Sequence, residues 1–142
     1  MGPTKEKRRG SAAELNAITE AIIGAAIEVH RELGPGLLES VYETCLTHEL
    51  RERGFTVEQQ RPQHVHYKGF TIEAGYKIDL VVADRNGVEV IVELKAVERM
   101  LGVHDAQLLT HLKLADRPVG LLINFNVELL KDGVRRWVNS FP

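Results

Sequence analysis

Asp79, Glu93 and Lys95 are the residues whose types and spacing best suit a reaction: an acid, then fourteen positions later the run Glu93-Leu94-Lys95. Two carboxylates brought to neighbouring positions repel each other and lose solvation, and a divalent cation between them relieves both costs. Hard cations such as Mg²⁺ take oxygen ligands, commonly one or two carboxylates with water and substrate phosphate. Lys95 lies two residues beyond Glu93 and so points to the same side of a strand, where its ammonium can stabilise charge developing on a phosphate or orient an attacking water. These are the parts of metal-assisted phosphodiester hydrolysis. The same three residues also fit a solvated strand face with Glu93–Lys77 or Asp79–Lys95 ion pairs, which contribute little to stability.

Positioning them requires a hairpin. Tyr76–Ala83 and Val88–Val97 alternate as strands around Asp84-Arg85-Asn86-Gly87. Ile78, Leu80 and Val82 make one apolar face, and Val90, Val92 and Leu94 make its counterpart, so even positions must pair with even positions. A two-residue Asn86-Gly87 loop breaks that rule. A three-residue loop over Arg85, Asn86 and Gly87, with glycine in the left-handed region, pairs Asp84 with Val88 and obeys it. Counting back sets Asp79 opposite Glu93 and Lys77 opposite Lys95, on a second face shared with Val81 and Ile91.

The remaining elements surround this hairpin. Ile18, Ile22, Ala25, Ala26, Val29 and Leu33 recur at helical spacing over Glu14–Leu33, and Gly34-Pro35-Gly36 ends that helix. A second helix over Leu38–Arg53 is expected to turn Leu38, Val41, Tyr42, Cys45 and Leu46 inward, with Gly54 as its stop. Phe55–Val57 and Val65–Tyr67 read as short strands, Pro62 as an edge or loop, and Lys68-Gly69 as a turn. A third helix over Val103–Ala115 carries Leu108, Leu109, Leu112 and Leu114. Val119–Phe125 suits a buried strand, followed by a turn at Lys131-Asp132-Gly133 and a last strand over Val134–Val138. The order α-α-β-β-β-α-β-β predicts an α/β domain with a mixed sheet covered by helices.

Composition narrows the class. With 142 residues, 44% hydrophobic and 27% charged, the chain matches one soluble globular domain and neither disorder nor a fibrous repeat. The expected division is a flexible basic tail over 1–13 and one domain over 14–142. Ala21–Ile27, the longest apolar stretch, is far too short to span a bilayer, and no export signal opens the chain, so a cytoplasmic protein is expected. The single Cys45 forms no internal disulfide and reads as a small apolar residue rather than a nucleophile. Net charge is −2, but the first ten residues carry Lys5, Lys7, Arg8 and Arg9 against Glu6, leaving about −5 on the rest. Bulk electrostatic attraction to nucleic acid is therefore excluded for the body, and any such contact must use a local site, bound cations or the tail.

Separated motifs then agree in order with a known family. Gly36-Leu37-Leu38-Glu39-Ser40-Val41-Tyr42 matches the signature of the GxxExxY proteins, and Tyr76–Val82, Ile91–Ala96, Ala106–Leu109 and Val119–Asn126 resemble that family's other hallmarks. The family is placed in the PD-(D/E)XK nuclease superfamily, whose restriction-endonuclease-like αβββαβ core would here gain an N-terminal helix and a C-terminal strand. The resemblance implies that Asp79 and Glu93 are ligands of Mg²⁺ or Mn²⁺, that Lys95 is the catalytic lysine and that Glu39 is a further acid of the site. It also implies a nuclease acting on nucleic acid, with DNA the expected substrate. The alternative is a non-catalytic nucleic-acid- or protein-binding module of the same fold. A homodimer and a protein partner supplying specificity are both compatible with it.

Gln107 resembles the glutamine of the helix after the catalytic strands in RecB-like nucleases, where a tyrosine commonly follows four residues later. Here that place is held by His111, one turn on and on the same face. Bland readings stand beside these. Glu39 in a first helical turn favours the helix dipole by ~0.3 to 1 kcal/mol without any chemistry. Gln107 fits a surface amide, and Tyr42 fits a core aromatic whose hydroxyl finds a partner, Glu39 being within reach. His64 and His66 lack the further ligands of a zinc site and read as surface histidines.

Overall fold

The computed structural model describes residues 9–139. Helix α1 spans Ala12–Leu33, α2 Glu39–Glu52, and α3 Gly102–Ala115. Strands are β1 Thr56–Tyr67, β2 Phe70–Ala83, β3 Glu89–Lys95, β4 Val119–Asn124 and β5 Val134–Val138, with a 3₁₀ turn at Leu130–Gly133. The five strands form one sheet in sequence order, antiparallel except for the parallel β3–β4 pair, whose crossover is α3. From α2 to β4 this is the αβββαβ restriction-endonuclease-like order, with α1 and β5 added.

Helix α1 starts two residues ahead of the expected Glu14 because Ser11 and Glu14 form a reciprocal cap: Glu14 N–H donates to Ser11 Oγ and Ser11 N–H to Glu14 Oε1. Just before it, Arg9 pairs with Asp116 at 2.6 Å. The first eight residues of the expected basic tail lie outside the described residues.

Helices α1 and α2 cover one face of the sheet. Ile18, Ile22, Ala26, Tyr42, Leu46 and Leu50 pack there on Leu80, Val82, Val90, Val92 and Leu121. Helix α3 covers the other, with Leu108 and Leu112 on Val81, Ile91 and Leu122. Strand β4 is therefore buried on both sides, which explains its unbroken apolar run. Leu38 and Val41, expected inward on α2, are instead exposed, Leu38 at 73%. The inward face continues from Tyr42 and Leu46 to Thr47 and Leu50, and Cys45 is half-buried at its border.

The β2–β3 hairpin follows the three-residue-loop register: Leu80 pairs with Val92, Val81 with Ile91, Val82 with Val90 and Ala83 with Glu89. Asp84 N–H donates to Val88 O at 3.1 Å, and Gly87 takes φ +79°. Three expectations around it need correction. The two short strands between α2 and β2 are one long edge strand, β1, in which Pro62 pairs with Lys77. An edge strand tolerates proline because its outward side needs no N–H. Ile78, expected beside Leu80 and Val82, packs with the α3 layer instead. The alternation breaks at Asp79, which has no ladder partner, across from Gln60 in the left-handed region at φ +53°. Lys77 accordingly faces Pro62 of β1 and not Lys95.

Candidate active site

The break in β2 gives Asp79 its position. The β2–β3 ladder stops at Leu80–Val92, and beyond it the Asp79 carboxylate substitutes for a strand partner: Oδ2 accepts the Leu94 N–H at 2.8 Å. Asp79 and Glu93 thus meet as neighbouring carboxylates across the splayed end of the hairpin rather than as a regular cross-strand pair. Oδ1 of Asp79 accepts Gln60 Nε2 at 3.2 Å, and the same amide donates to Glu43 of α2 at 2.6 Å. Glu43 and Gln60 therefore fix the carboxylate's orientation from the helix side.

Glu93 is 7% exposed, and its Oε1 accepts from Nδ1 of His111 on α3. Burial pushes its carboxyl above the ordinary range; the His111 hydrogen bond opposes this, and the negative charge of Asp79 within hydrogen-bonding reach adds to it. Lys95 ends β3 half-buried. Its strand end is secured by the buried Asn124, whose Oδ1 accepts Val97 N–H at 3.1 Å and whose Nδ2 donates to Val97 O at 2.9 Å. Among the described residues neither the Glu93–Lys77 nor the Asp79–Lys95 ion pair forms.

Asp79, Glu93, Lys95, Glu39 and Gln107 all line one cleft of about 200 Å³, together with Tyr76, Lys77, His104 and His111. Glu39 is exposed at its mouth, in the first turn of α2. The Tyr42 hydroxyl, expected to reach Glu39, donates to Gly34 O at 2.6 Å and accepts Leu37 N–H at 3.1 Å. Its ring stacks on Phe125 at 4.4 Å. Tyr42 therefore pins the glycine-proline turn from which α2 launches, and that turn aims Glu39 at the sheet end.

Helix α3 presents His104, Gln107 and His111 at three- and four-residue spacing to the cleft. His104 Nδ1 accepts the Leu101 N–H at 3.0 Å, which leaves Nε2 to carry the proton of the neutral ring. His104, Tyr76, Gln60, Glu43 and Asn124 were not singled out by sequence reasoning. For His104 a signal existed in the spacing to Gln107 and His111, whereas Gln60 and Glu43 meet only through the sheet break. His64 and His66 lie exposed on β1, away from the cleft lining.

Among the described residues no group of three or more His, Cys, Asp and Glu side chains is placed to hold a metal ion. The donor set offers two hard carboxylates, Asp79 and Glu93. That pair suits Mg²⁺, which keeps several waters and uses few protein ligands, and it leaves the rest of a coordination shell to water and substrate. A cation there would also offset the burial and like-charge repulsion that push Glu93 up.

The α2-to-β4 element order is that of the PD-(D/E)XK core, and the sequence profile of the PD-(D/E)XK nuclease superfamily matches residues 16–137. The chain belongs to the PD-(D/E)XK nuclease superfamily. A comparison with curated proteins finds no match. Among solved structures, the crystal structure of SSO0001 aligns with a TM-score of 0.39 and 16% identity, over 89% of this chain and 79% of that one. Among the described residues no helix is long and apolar enough to cross a membrane.

Proposed function

We propose that the protein is a Mg²⁺- or Mn²⁺-dependent nuclease that hydrolyses phosphodiester bonds in nucleic acid, with DNA as the substrate. The observation that carries this reading is the convergence of Asp79, Glu93 and Lys95 at the splayed end of one hairpin, in a cleft also reached by α2 and α3. A bound divalent cation would supply Lewis-acid polarisation of the phosphate and a more acidic water. Asp79 and Glu93 hold that cation. The Leu94 N–H and Gln60 keep Asp79 in place, and the His111 hydrogen bond does the same for Glu93. Lys95 sets an ammonium beside the phosphate and stabilises the charge that builds there. Gln107 and His104 line the wall where the strand would pass, and Glu39 stands at the entrance.

Within the superfamily, the Gly36–Tyr42 motif supports assignment to the GxxExxY proteins, and Tyr42 has a role in that motif as the pin of the turn before Glu39. A non-catalytic binding module draws support from the body charge of about −5, which is unfavourable for a free-standing, non-specific nuclease. The full Asp79, Glu93 and Lys95 set favours chemistry. Calorimetric titration with Mn²⁺ separates them: saturable binding in the wild type that is lost in Asp79→Ala supports the metal site, and equal heats in both remove it.

A further inference from the structure

The β1–β2 hairpin outruns the rest of the sheet. Its ladder continues to Tyr67–Phe70, whereas β3 accompanies β2 only over Leu80–Ala83. The ten residues Phe70–Asp79, at ~3.3 Å each, make an arm of roughly 30 Å. Its tip is a tight two-residue turn, with Lys68 and Gly69 both at positive φ, the geometry that matches strand twist. Val65 pairs with Ile72 and Tyr67 with Phe70, so these four side chains share one face. Phe70 is 70% exposed and Tyr67 57%, and the Lys68 ammonium lies 5.3 Å from the Tyr67 ring centre.

This apolar face leads into the catalytic cleft. Val65 and Tyr76 form a groove of about 440 Å³ with Val103, Ala106 and Leu114 of α3. Tyr76, Gln107 and His111 line both that groove and the cleft, and the Tyr76 and His111 rings stand 6.3 Å apart. A surface of exposed rings continuous with the cleft, on a body carrying about −5, gains little from bulk attraction to phosphates. Stacking on bases is the contact it offers, and duplex bases hide their faces from such a platform.

Resting on the nuclease reading above, we infer that the β1–β2 arm is a stacking platform for unpaired nucleic acid, which delivers a single strand along the α3 groove to Asp79, Glu93 and Lys95. Tyr67 and Phe70 bind the bases, with the Lys68 ammonium beside the strand.

The test is fluorescence anisotropy with labelled oligo(dT), oligo(U) and a mixed-sequence DNA duplex, in Ca²⁺, at two salt concentrations. It compares wild type with Tyr67→Ala/Phe70→Ala, both positions being exposed. Single-strand binding should lie well above duplex binding, with a shallow salt dependence and a loss of at least about tenfold in the double variant. Binding unchanged by the double substitution, preference for duplex, or no binding of either single strand overturns it. So does light scattering that shows a wild-type dimer falling to monomer in the variant with strand binding intact, since the face would then be covered by a second copy. Mn²⁺ titration of the same variant keeps the two readings apart: the arm can fail while the metal site stands, and a missing metal site leaves the anisotropy result unaffected.

Discussion

Glu93→Gln should make the metal-free protein more stable at neutral and alkaline pH, at the expense of the site. Glu93 is almost wholly buried, and burial together with the Asp79 charge raises its carboxyl above the ordinary value despite the His111 hydrogen bond. A carboxyl whose folded pKa lies above its unfolded one binds its proton more tightly when folded. Its stabilising contribution is complete below the unfolded value and is lost as pH rises through the folded one. Wild type without metal should therefore lose stability across that window. The glutamine variant, whose amide oxygen still accepts from His111, should not. Relief of one buried, incompletely compensated charge is on the order of 1 to 2 kcal/mol, or roughly 3 to 8 °C in a chain of 142 residues. Thermal melts in EDTA from about pH 4 to 9 should show the two curves together at the acid end and the variant higher at the alkaline end. Added Mn²⁺ should raise the wild type, by about 2.7 kcal/mol at a hundred times its dissociation constant, and leave the variant unmoved. A variant that melts lower than wild type at alkaline pH would mean that Glu93 serves the fold through His111 rather than waiting for a cation.

Three further perturbations probe the scaffold. Tyr42→Phe keeps the stack on Phe125 but strips Gly34 O and Leu37 N–H of their partner, so a loss of about 1 to 2 kcal/mol is expected in urea unfolding. Gly133→Ala would set a Cβ 2.1 Å from Asn124 O; this backbone collision should lower stability by more than about 2 kcal/mol, seen as a fall in melting temperature. Asp105→Asn weakens the tie from α3 to β5, where Asp105 accepts from Arg135 at 2.5 Å and Trp137 at 2.8 Å. Loss of about 1 to 3 kcal/mol should appear together with faster hydrogen exchange in β5.

The parts of the fold governed by local patterning were legible. The apolar faces of Leu80–Val82 and Val90–Val92 allowed one parity of pairing, and one loop length satisfied it. Gly34-Pro35-Gly36 and Lys68-Gly69 marked their turns through backbone chemistry alone. What escaped was non-local. Strict alternation assigned Ile78 to the wrong layer because Gln60, on another strand, interrupts β2 at Asp79. Leu38 and Val41 fit an inward stripe by spacing, yet the inward face of α2 is set by where Tyr42 stacks on Phe125, far along the chain. At the site, residue types and spacing selected Asp79, Glu93 and Lys95, and resemblance added Glu39 and Gln107. All five line one cleft. The partner of His111 could not be read in advance, since Glu93 reaches it only through the packing of α3 on the sheet.

The proposed activity is hydrolysis of nucleic acid at Asp79, Glu93 and Lys95. It is tested most directly by incubating the wild type with labelled single- and double-stranded DNA and RNA in Mg²⁺ or Mn²⁺, beside Lys95→Ala and an EDTA control. Cation-dependent cutting by the wild type should disappear in the lysine variant and in EDTA. Cutting that survives both, or no cutting of any substrate by protein shown to be folded, would contradict it.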